Sequence, residues 1–523
     1  MSFRKVQKYN LLLLFLILLL ILCAACAVFP SNDASSKENA VSSSSSAASS
    51  AQSSGNTASS DDTMSENTSS SEKSAIHASF EGSLWQNMTA EEFEEYWKKD
   101  NYGQSYSYQF QLMNQLDFSA LQNETIVSLV PSSSRTFLLT ESGRVFGVGN
   151  GEYDTLQQHT YAPVRWLVEI EFPEKIVMLR ATDTDVLAVG ESNTLYMWGF
   201  HFQQMQKGAE SSTNMYTIRF HQPIADVQFD GINIYGGNRV LILTESGEAY
   251  AFGVSYNLFD DPNSKTKNGY EWNEKNLLIP QKIETGEKIV QIDVSMGAMF
   301  LLGESGSCYT AYTQEDNNYP SHVLYNNPNL KEIDFTDPIT KIWATRFSLF
   351  VQTENGDVYA AGNNYYGQMG IGLRKDSDNI DPAYKDDMHA GYWVLKKFEK
   401  VPLDEKITSV LHTRGWCNTA FLTESGKVYA CGSNYNDQWF TGRPVSEENK
   451  EEFLYSPVEI PLSFSVTDAC SNGYTHFFRA ANGSVYVIGS NHYGQAMLAD
   501  ASIKKIKTPL EVKLPFAESF TLQ

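Results

Sequence analysis

One short unit recurs seven times in this 523-residue chain, and it sets what the chain can fold into. Its clearest copies read Phe-Leu-Leu-Thr-Glu-Ser-Gly-Arg-Val-Phe-Gly-Val-Gly (137–149) and Leu-Ile-Leu-Thr-Glu-Ser-Gly-Glu-Ala-Tyr-Ala-Phe-Gly (241–253). Related copies cover 350–362, 420–432 and 477–489. In each, an apolar run meets a Glu-Ser-Gly-like turn, and a Val/Tyr/aliphatic run then stops at a glycine. Two such runs around a glycine turn are the strands of a tight hairpin, because glycine reaches the left-handed backbone that the turn demands. In two weaker copies Asn193 takes the glycine position, or the pattern degrades after Tyr309.

The turn residues are Gly143, Asn193, Gly247, Gly306, Gly356, Gly426 and Gly483, spaced 50 to 70 residues apart. That period belongs to propeller-scale repeats. A further apolar strand precedes each hairpin, as at Ile126–Leu129 and Ile289–Ile292, and a proline-bearing strand follows most, as at Pro163, Pro457 and Pro509. Proline offers no ladder N–H and so suits an edge. Four strands per unit predict an all-β fold, a seven-bladed β-propeller of four-stranded antiparallel blades over residues 121–523. A lone blade exposes both faces, so the ring must close. Phe516–Leu522, or the strand at Pro509–Leu514, is expected to pair near the N-terminal blade.

Three segments after the hairpins carry Asn-x-x-Gly-Gln-like turns: Asn363–Gln368, Asn434–Gln438 and Asn491–Gln495. With the hairpins, they make residues 121–523 resemble the regulator-of-chromosome-condensation repeat family. The family's His-Thr before the turn is absent; the histidine position holds Arg135, Asp185, Arg239, Ala298, Ser348, Asn418 and Thr475. No residue-specific activity therefore carries over. The resemblance implies a protein-binding ring. Nuclear members act as exchange factors on a small GTPase, and a secreted bacterial member inhibits a β-lactamase with an aromatic-rich face. An inhibitor of an extracellular enzyme is thus an alternative expectation, and a propeller hydrolase a further one.

Ahead of the repeats, Arg4, Lys5 and Lys8 precede an apolar run from Leu11 to Phe29. A basic n-region before such a run is a secretion signal. Within it, Ala24-Ala25-Cys26 resembles a bacterial lipoprotein signal, which implies lipidation at Cys26; an uncleaved anchor is the other reading. Residues 1–26 are read as signal and 27–76 as a Ser-rich disordered linker with a reach of roughly 40 Å. Residues 77–120 form an N-terminal segment, in which Thr89 caps a short helix with Phe93, Tyr96 and Trp97 on one face. This layout resembles that of surface lipoproteins, with the folded part extracytoplasmic, anchored to the bacterial cell membrane, and monomeric.

The chain carries 39 basic and 62 acidic residues, a net charge of −23. That balance repels phosphate backbones and argues against nucleic acid. The cysteines beyond the leader (Cys308, Cys417, Cys431, Cys470) lack metal spacing and read as small buried hydrophobes. No Gly-x-Ser-x-Gly, His-Glu-x-x-His or phosphate loop occurs, and His412 and His492 read as isolated loop or surface residues. Neither a catalytic residue, a cofactor nor a metal is assigned. The stretch Asp376–Asp387 faintly resembles a calcium loop but lacks its glycine and final glutamate. Two long connections hold the candidate partner-binding aromatics: Tyr256, Phe259, Tyr270 and Trp272 in 256–278, and Tyr384, Tyr392 and Trp393 in 373–400. Loops on a rigid ring are where recognition sits, and aromatics are its usual anchors. The expected function is a tethered, non-catalytic module that binds a protein or a glycan.

Overall fold

The computed structural model describes residues 116–523, apart from 133, 152–153, 159–162, 205–214, 230–238, 254–278, 296–297, 313–329, 375–387, 390–391, 413–416, 435–452 and 501. The signal, Cys26, the linker, the Thr89 helix and the calcium-like stretch lie outside the described residues.

Seven antiparallel sheets form the seven blades of a β-propeller. The first strand of each blade is the inner one: Ile126–Ser132, Ile176–Ala181, Ile224–Phe229, Ile289–Ser295, Ile339–Ala344, Ile407–His412 and Val466–Ser471. The hairpin supplies the second and third strands, and the proline-bearing segment supplies the outer one, as at Pro163–Ile170, Phe453–Glu459 and Lys505–Glu511. The turn residues adopt the backbone the sequence calls for: Gly426 has φ +81° and Asn193 has φ +62°. His412 ends an inner strand instead of lying in a loop.

Two sheets depart from four strands. In blade 5, Met388–His389 and Tyr392–Lys400 join the sheet, so the insertion expected over 373–400 gives way to strand well before its end. The run Tyr-Trp-Val-Leu is rich in residues that favour a pleated surface. In blade 1, Phe516–Leu522 lies parallel to Ile126–Ser132, with Leu522 opposite Leu129, and closes the ring as expected.

The core is divided among the seams. Seven buried clusters occur among the described residues, one between each pair of neighbouring blades. Between blades 1 and 2, Phe137 and Val145 meet Leu179, Val186 and Trp198. Between blades 7 and 1, Phe477 and Val487 meet Leu138, Phe146 and the closing Phe520 and Leu522. Each fully buried side chain of this size contributes about 1.5–3 kcal/mol. A blade without neighbours forfeits that on both faces.

An inner strand pairs along one edge and leaves the other bare toward the axis. The preceding blade covers that edge with side chains. Gln291 Nε2 donates to the Ile342 carbonyl at 2.6 Å while its Oε1 accepts from the Ile342 N–H at 3.0 Å. Asp293 accepts from the Ala344 N–H at 2.8 Å. Arg180 pairs with Asp226 at 2.8 Å, and the Ser132 hydroxyl donates to the Thr182 carbonyl at 2.7 Å. Those that reach backbone N–H and C=O satisfy groups that otherwise template edge-to-edge association.

Three of the four cysteines beyond the leader are free thiols buried in strands (Cys308, Cys431 and Cys470), and Cys417 is partly exposed. Burial pushes the three buried thiols well above the ordinary cysteine range, as inert apolar filler requires.

Candidate binding face

The topology sorts the connections by face. The hairpin turns and the links from outer strand to next inner strand lie at one end of the blades. The links from inner to second strand and from third to outer strand lie at the other. All the long connections belong to the second set.

The turn face is occupied by structural contacts. Two residues before the inner strand, a glutamate or glutamine clamps the blade's own hairpin. Glu174 accepts from the Ser192 hydroxyl at 2.7 Å and the Tyr196 hydroxyl at 2.9 Å. Glu287 repeats this with Ser305 at 2.9 Å and Tyr309 at 2.7 Å, and Glu405 with Ser425 and, at 3.0 Å, Tyr429. Gln222 bonds Tyr250 at 2.8 Å and Ser246 at 3.3 Å. In blade 7 Phe464 stands in that position and stacks on Tyr486, centroids 4.3 Å apart. These bonds, led by that of Ser425, hold the Glu405 carboxyl down at about 2. Bonding to Glu287, then burial, pushes the Tyr309 hydroxyl up to about 12. The serine of Glu-Ser-Gly is thus a clamp donor. The turn then hands on to the next blade: Ile176 N–H donates to the Gly143 carbonyl at 3.1 Å, and Val466 N–H to Gly426 at 2.8 Å.

The loop face is built on glycine corners. Gly489 has φ +115°, and a Cβ there would sit 2.0 Å from the Tyr474 carbonyl oxygen. At three of the seven equivalent positions, the first residue of the second strand braces its corner. The Arg135 Nε donates to the Asn150 carbonyl at 2.6 Å, Ser348 to Asn363 at 3.0 Å and Thr475 to Ser490 at 2.8 Å. Asp185 instead accepts from the N–H groups of His201 and Phe202 at 2.9 and 3.0 Å, capping the helix Phe200–Gln204.

Two of the three Asn-x-x-Gly-Gln turns fold as small closed loops; the third, beyond Asn434, lies outside the described residues. Asn364 accepts from the Met369 N–H at 3.0 Å and donates to the Leu373 carbonyl at 3.0 Å; Asn491 does the same with Ala496 and Ile503 at 3.0 and 2.8 Å. Each loop reaches the following blade: the Cys431 thiol donates to the Gln368 carbonyl at 3.4 Å, and the Thr136 hydroxyl donates to the Gln495 carbonyl at 2.6 Å across the closing seam.

At the seam of blades 5 and 6 this scaffold presents half-buried aromatic rings. Tyr365 meets Tyr366 at 4.9 Å and 72°, Tyr366 meets Phe453 at 5.1 Å and 78°, and Phe453 meets Tyr455 at 6.3 Å and 86°. The Arg374 guanidinium lies 5.1 Å from the Tyr455 ring centroid. The Tyr455 hydroxyl donates to the Tyr365 carbonyl at 3.3 Å. Perpendicular rings cover one another's faces and offer protein-like anchors; a sugar-binding platform needs open parallel rings.

Of the candidates read from the sequence, Tyr256, Phe259, Tyr270, Trp272 and Tyr384 lie outside the described residues. The segments holding them leave blade 3 after Gly253 and blade 5 after Asn363, both at the loop face. Tyr392 and Trp393 sit at the start of blade 5's strand Tyr392–Lys400, on the same face. The sequence reading passed over Tyr365, Tyr366, Arg374, Phe453 and Tyr455. Two of them stand inside a turn singled out for its Asn and Gly, and two on a strand singled out for its proline. Among the described residues, no helix is long and apolar enough to cross a membrane, and no group of three or more His, Cys, Asp or Glu could hold a metal ion.

A family model described as the regulator of chromosome condensation (RCC1) repeat matches residues 415–438, the hairpin of blade 6 and the turn after it. The ultraviolet-B receptor UVR8 of Arabidopsis thaliana is 24% identical over 345 residues, 62% of this chain and 69% of the receptor. The regulator of chromosome condensation of Homo sapiens is 26% identical over 302 residues, 54% of this chain and 65% of the regulator. Among solved structures, Prp20p of Saccharomyces cerevisiae, described with its binding to Gsp1p and histones, aligns at 16% identity and a TM-score of 0.41, over 74% of this chain and 77% of that one. The chain is thus similar to RCC1-repeat proteins, with the repeat model itself matched at residues 415–438.

Proposed function

We propose that this protein is a membrane-tethered, extracytoplasmic and non-catalytic binding module that engages a protein partner through the loop face of its propeller. The observation that carries the reading is the division of labour between the faces. Clamps and hand-on bonds occupy the turn face, while the long connections and the Tyr365–Tyr455 aromatic group share the other. Relatives built from the same repeat are regulators and receptors, which accords with binding. The perpendicular rings favour protein over glycan. The apolar run Leu11–Phe29 and Cys26 support the tether.

The test has two arms. Metabolic labelling with a palmitate analogue, compared between the wild-type chain and Cys26→Ala, reads the anchor; equal labelling overturns lipidation at that residue. Detergent-solubilised full-length protein, used as bait against surface and secreted fractions and a glycan array, reads the partner. A saturable protein partner is expected. Glycan binding alone redirects the reading to carbohydrate, and no capture in either format overturns it.

A further inference from the structure

The aromatic group at the seam of blades 5 and 6 has a property that the other described rings of the loop face do not share as a set. Four rings are locked edge to face in a row, and the last of them, Tyr455, already carries a cation on its face. The π face of a tyrosine is its negative face, and a guanidinium within about 6 Å of the centroid is attracted by it. Arg374 is exposed, so water competes for its charge. Rings fixed by their neighbours lose little freedom when they meet a ligand, which is why tyrosine dominates adaptable paratopes. The chain as a whole carries −23, a field that draws positively charged partners and repels negative ones.

We propose that this corner receives an arginine or lysine side chain of an extended segment in the partner protein, and that Arg374 holds its place on Tyr455 in the unbound state. The inference rests on the loop-face reading and deepens it by naming the chemistry of the partner. The incoming cation displaces the Arg374 guanidinium from the ring. Two consequences follow that a merely structural stack does not share: removing the Arg374 side chain strengthens binding, and any aromatic ring at 455 suffices.

The experiment uses the full-length chain in detergent micelles and a fluorescent peptide of alternating Gly and Arg, with Gly-Glu and Gly-Ser peptides as controls, at about 150 mM salt so that long-range attraction is damped. Fluorescence anisotropy gives the affinity. Saturable binding of the Gly-Arg peptide alone is expected. Tyr455→Leu should weaken it about fivefold, the size of an exposed-to-partly-buried cation–π contact. Tyr455→Phe should stay near wild type, and Arg374→Ala should tighten binding. Arg374 is exposed, so that arm holds even where Tyr455→Leu disturbs folding, which circular dichroism checks. Absence of Gly-Arg binding, indifference to Tyr455→Leu in a folded protein, or weaker binding by Arg374→Ala overturns the inference. A partner captured equally well by wild type, Tyr366→Ala and Arg374→Ala also overturns it while leaving the binding-module reading standing.

Discussion

Asp468 of blade 7 accepts a hydrogen bond from the backbone N–H of Leu522 at 3.0 Å, on a strand that belongs to blade 1. Arg479 adds donations to the carbonyls of Glu518 and, at 3.0 Å, Phe520, and its guanidinium lies 4.5 Å from the Phe520 ring centroid. The last seam is thus held as the others are, by side chains of one blade on the bare edge of the next.

Removing residues 516–523 strips Phe520 and Leu522 from the seam core and bares the edge of Ile126–Ser132. Burial of two such side chains and the lost backbone bonds together set a cost of about 5 kcal/mol. The urea midpoint should fall sharply; an unchanged midpoint refutes closure by this strand. Asp468→Ala, which leaves the Leu522 N–H without its acceptor, should cost about 1–3 kcal/mol.

The two carboxyls have opposite pH signatures. Burial raises Asp468, so its ionisation opposes folding: the cost is complete above its folded value and fades as pH falls through it toward the ordinary carboxylate range. Glu405 is lowered to about 2 by Ser425 and its other partners, so it stabilises above the ordinary value of 4.5 and that contribution is lost as pH falls toward 2. Glu405→Gln should therefore flatten the acid limb of the stability curve between those values. Asp468→Ala should flatten a decline on the other side, toward neutral pH. Denaturant titrations from pH 2 to 8 separate the two.

A bulge one residue into the inner strand recurs in all seven blades. Thr340, Thr408 and Thr467 fill it by donating to the carbonyls of Gln352, Leu422 and Arg479 at 3.1, 3.2 and 3.3 Å. Blade 4 has Val290 there, 55% exposed. Val290→Thr places a hydroxyl beside the equivalent Leu302 carbonyl and should add about 0.5–1 kcal/mol to stability. A loss in thermal denaturation would sink this account of the threonines.

Glycines of the two faces should differ in tolerance. A Cβ at Gly483 meets nothing within 4 Å, so Gly483→Ala costs only the left-handed backbone, about 1–2 kcal/mol. At Gly489 a Cβ also strikes the Tyr474 carbonyl, and Gly489→Ala should cost clearly more or prevent folding. Equal melting temperatures for the two variants refute the corner argument.

Seven hairpins were legible because their chemistry is local: a glycine at positive φ and alternating strands leave a signature within thirteen residues. Ring closure was legible from the need to cover an edge. The Glu174, Glu287 and Glu405 clamps were missed, although each stands two residues before an inner-strand isoleucine and its Ser and Tyr partners recur in the hairpin. The unit was read as strand, turn and strand, and the clamp joins residues about 18 to 24 apart. Candidate aromatics were sought in long insertions because insertions carry recognition. Tyr365 and Tyr366 lie within the repeat itself, and Phe453 and Tyr455 approach them only through the ring; the Tyr455–Tyr365 bond spans 90 residues. Such convergence leaves no local pattern.

The closing strand also fixes an order of events. Thr521 bonds the Val127 carbonyl across 394 residues of chain. A ribosome adding about 5–20 residues per second makes Ile126–Ser132 tens of seconds before its partner exists. For that interval every newborn molecule displays an unpaired strand edge, and it can be captured by a neighbour's edge or shielded by a chaperone. Slow synthesis or crowded polysomes should therefore lower the yield of this protein more than its finished stability suggests.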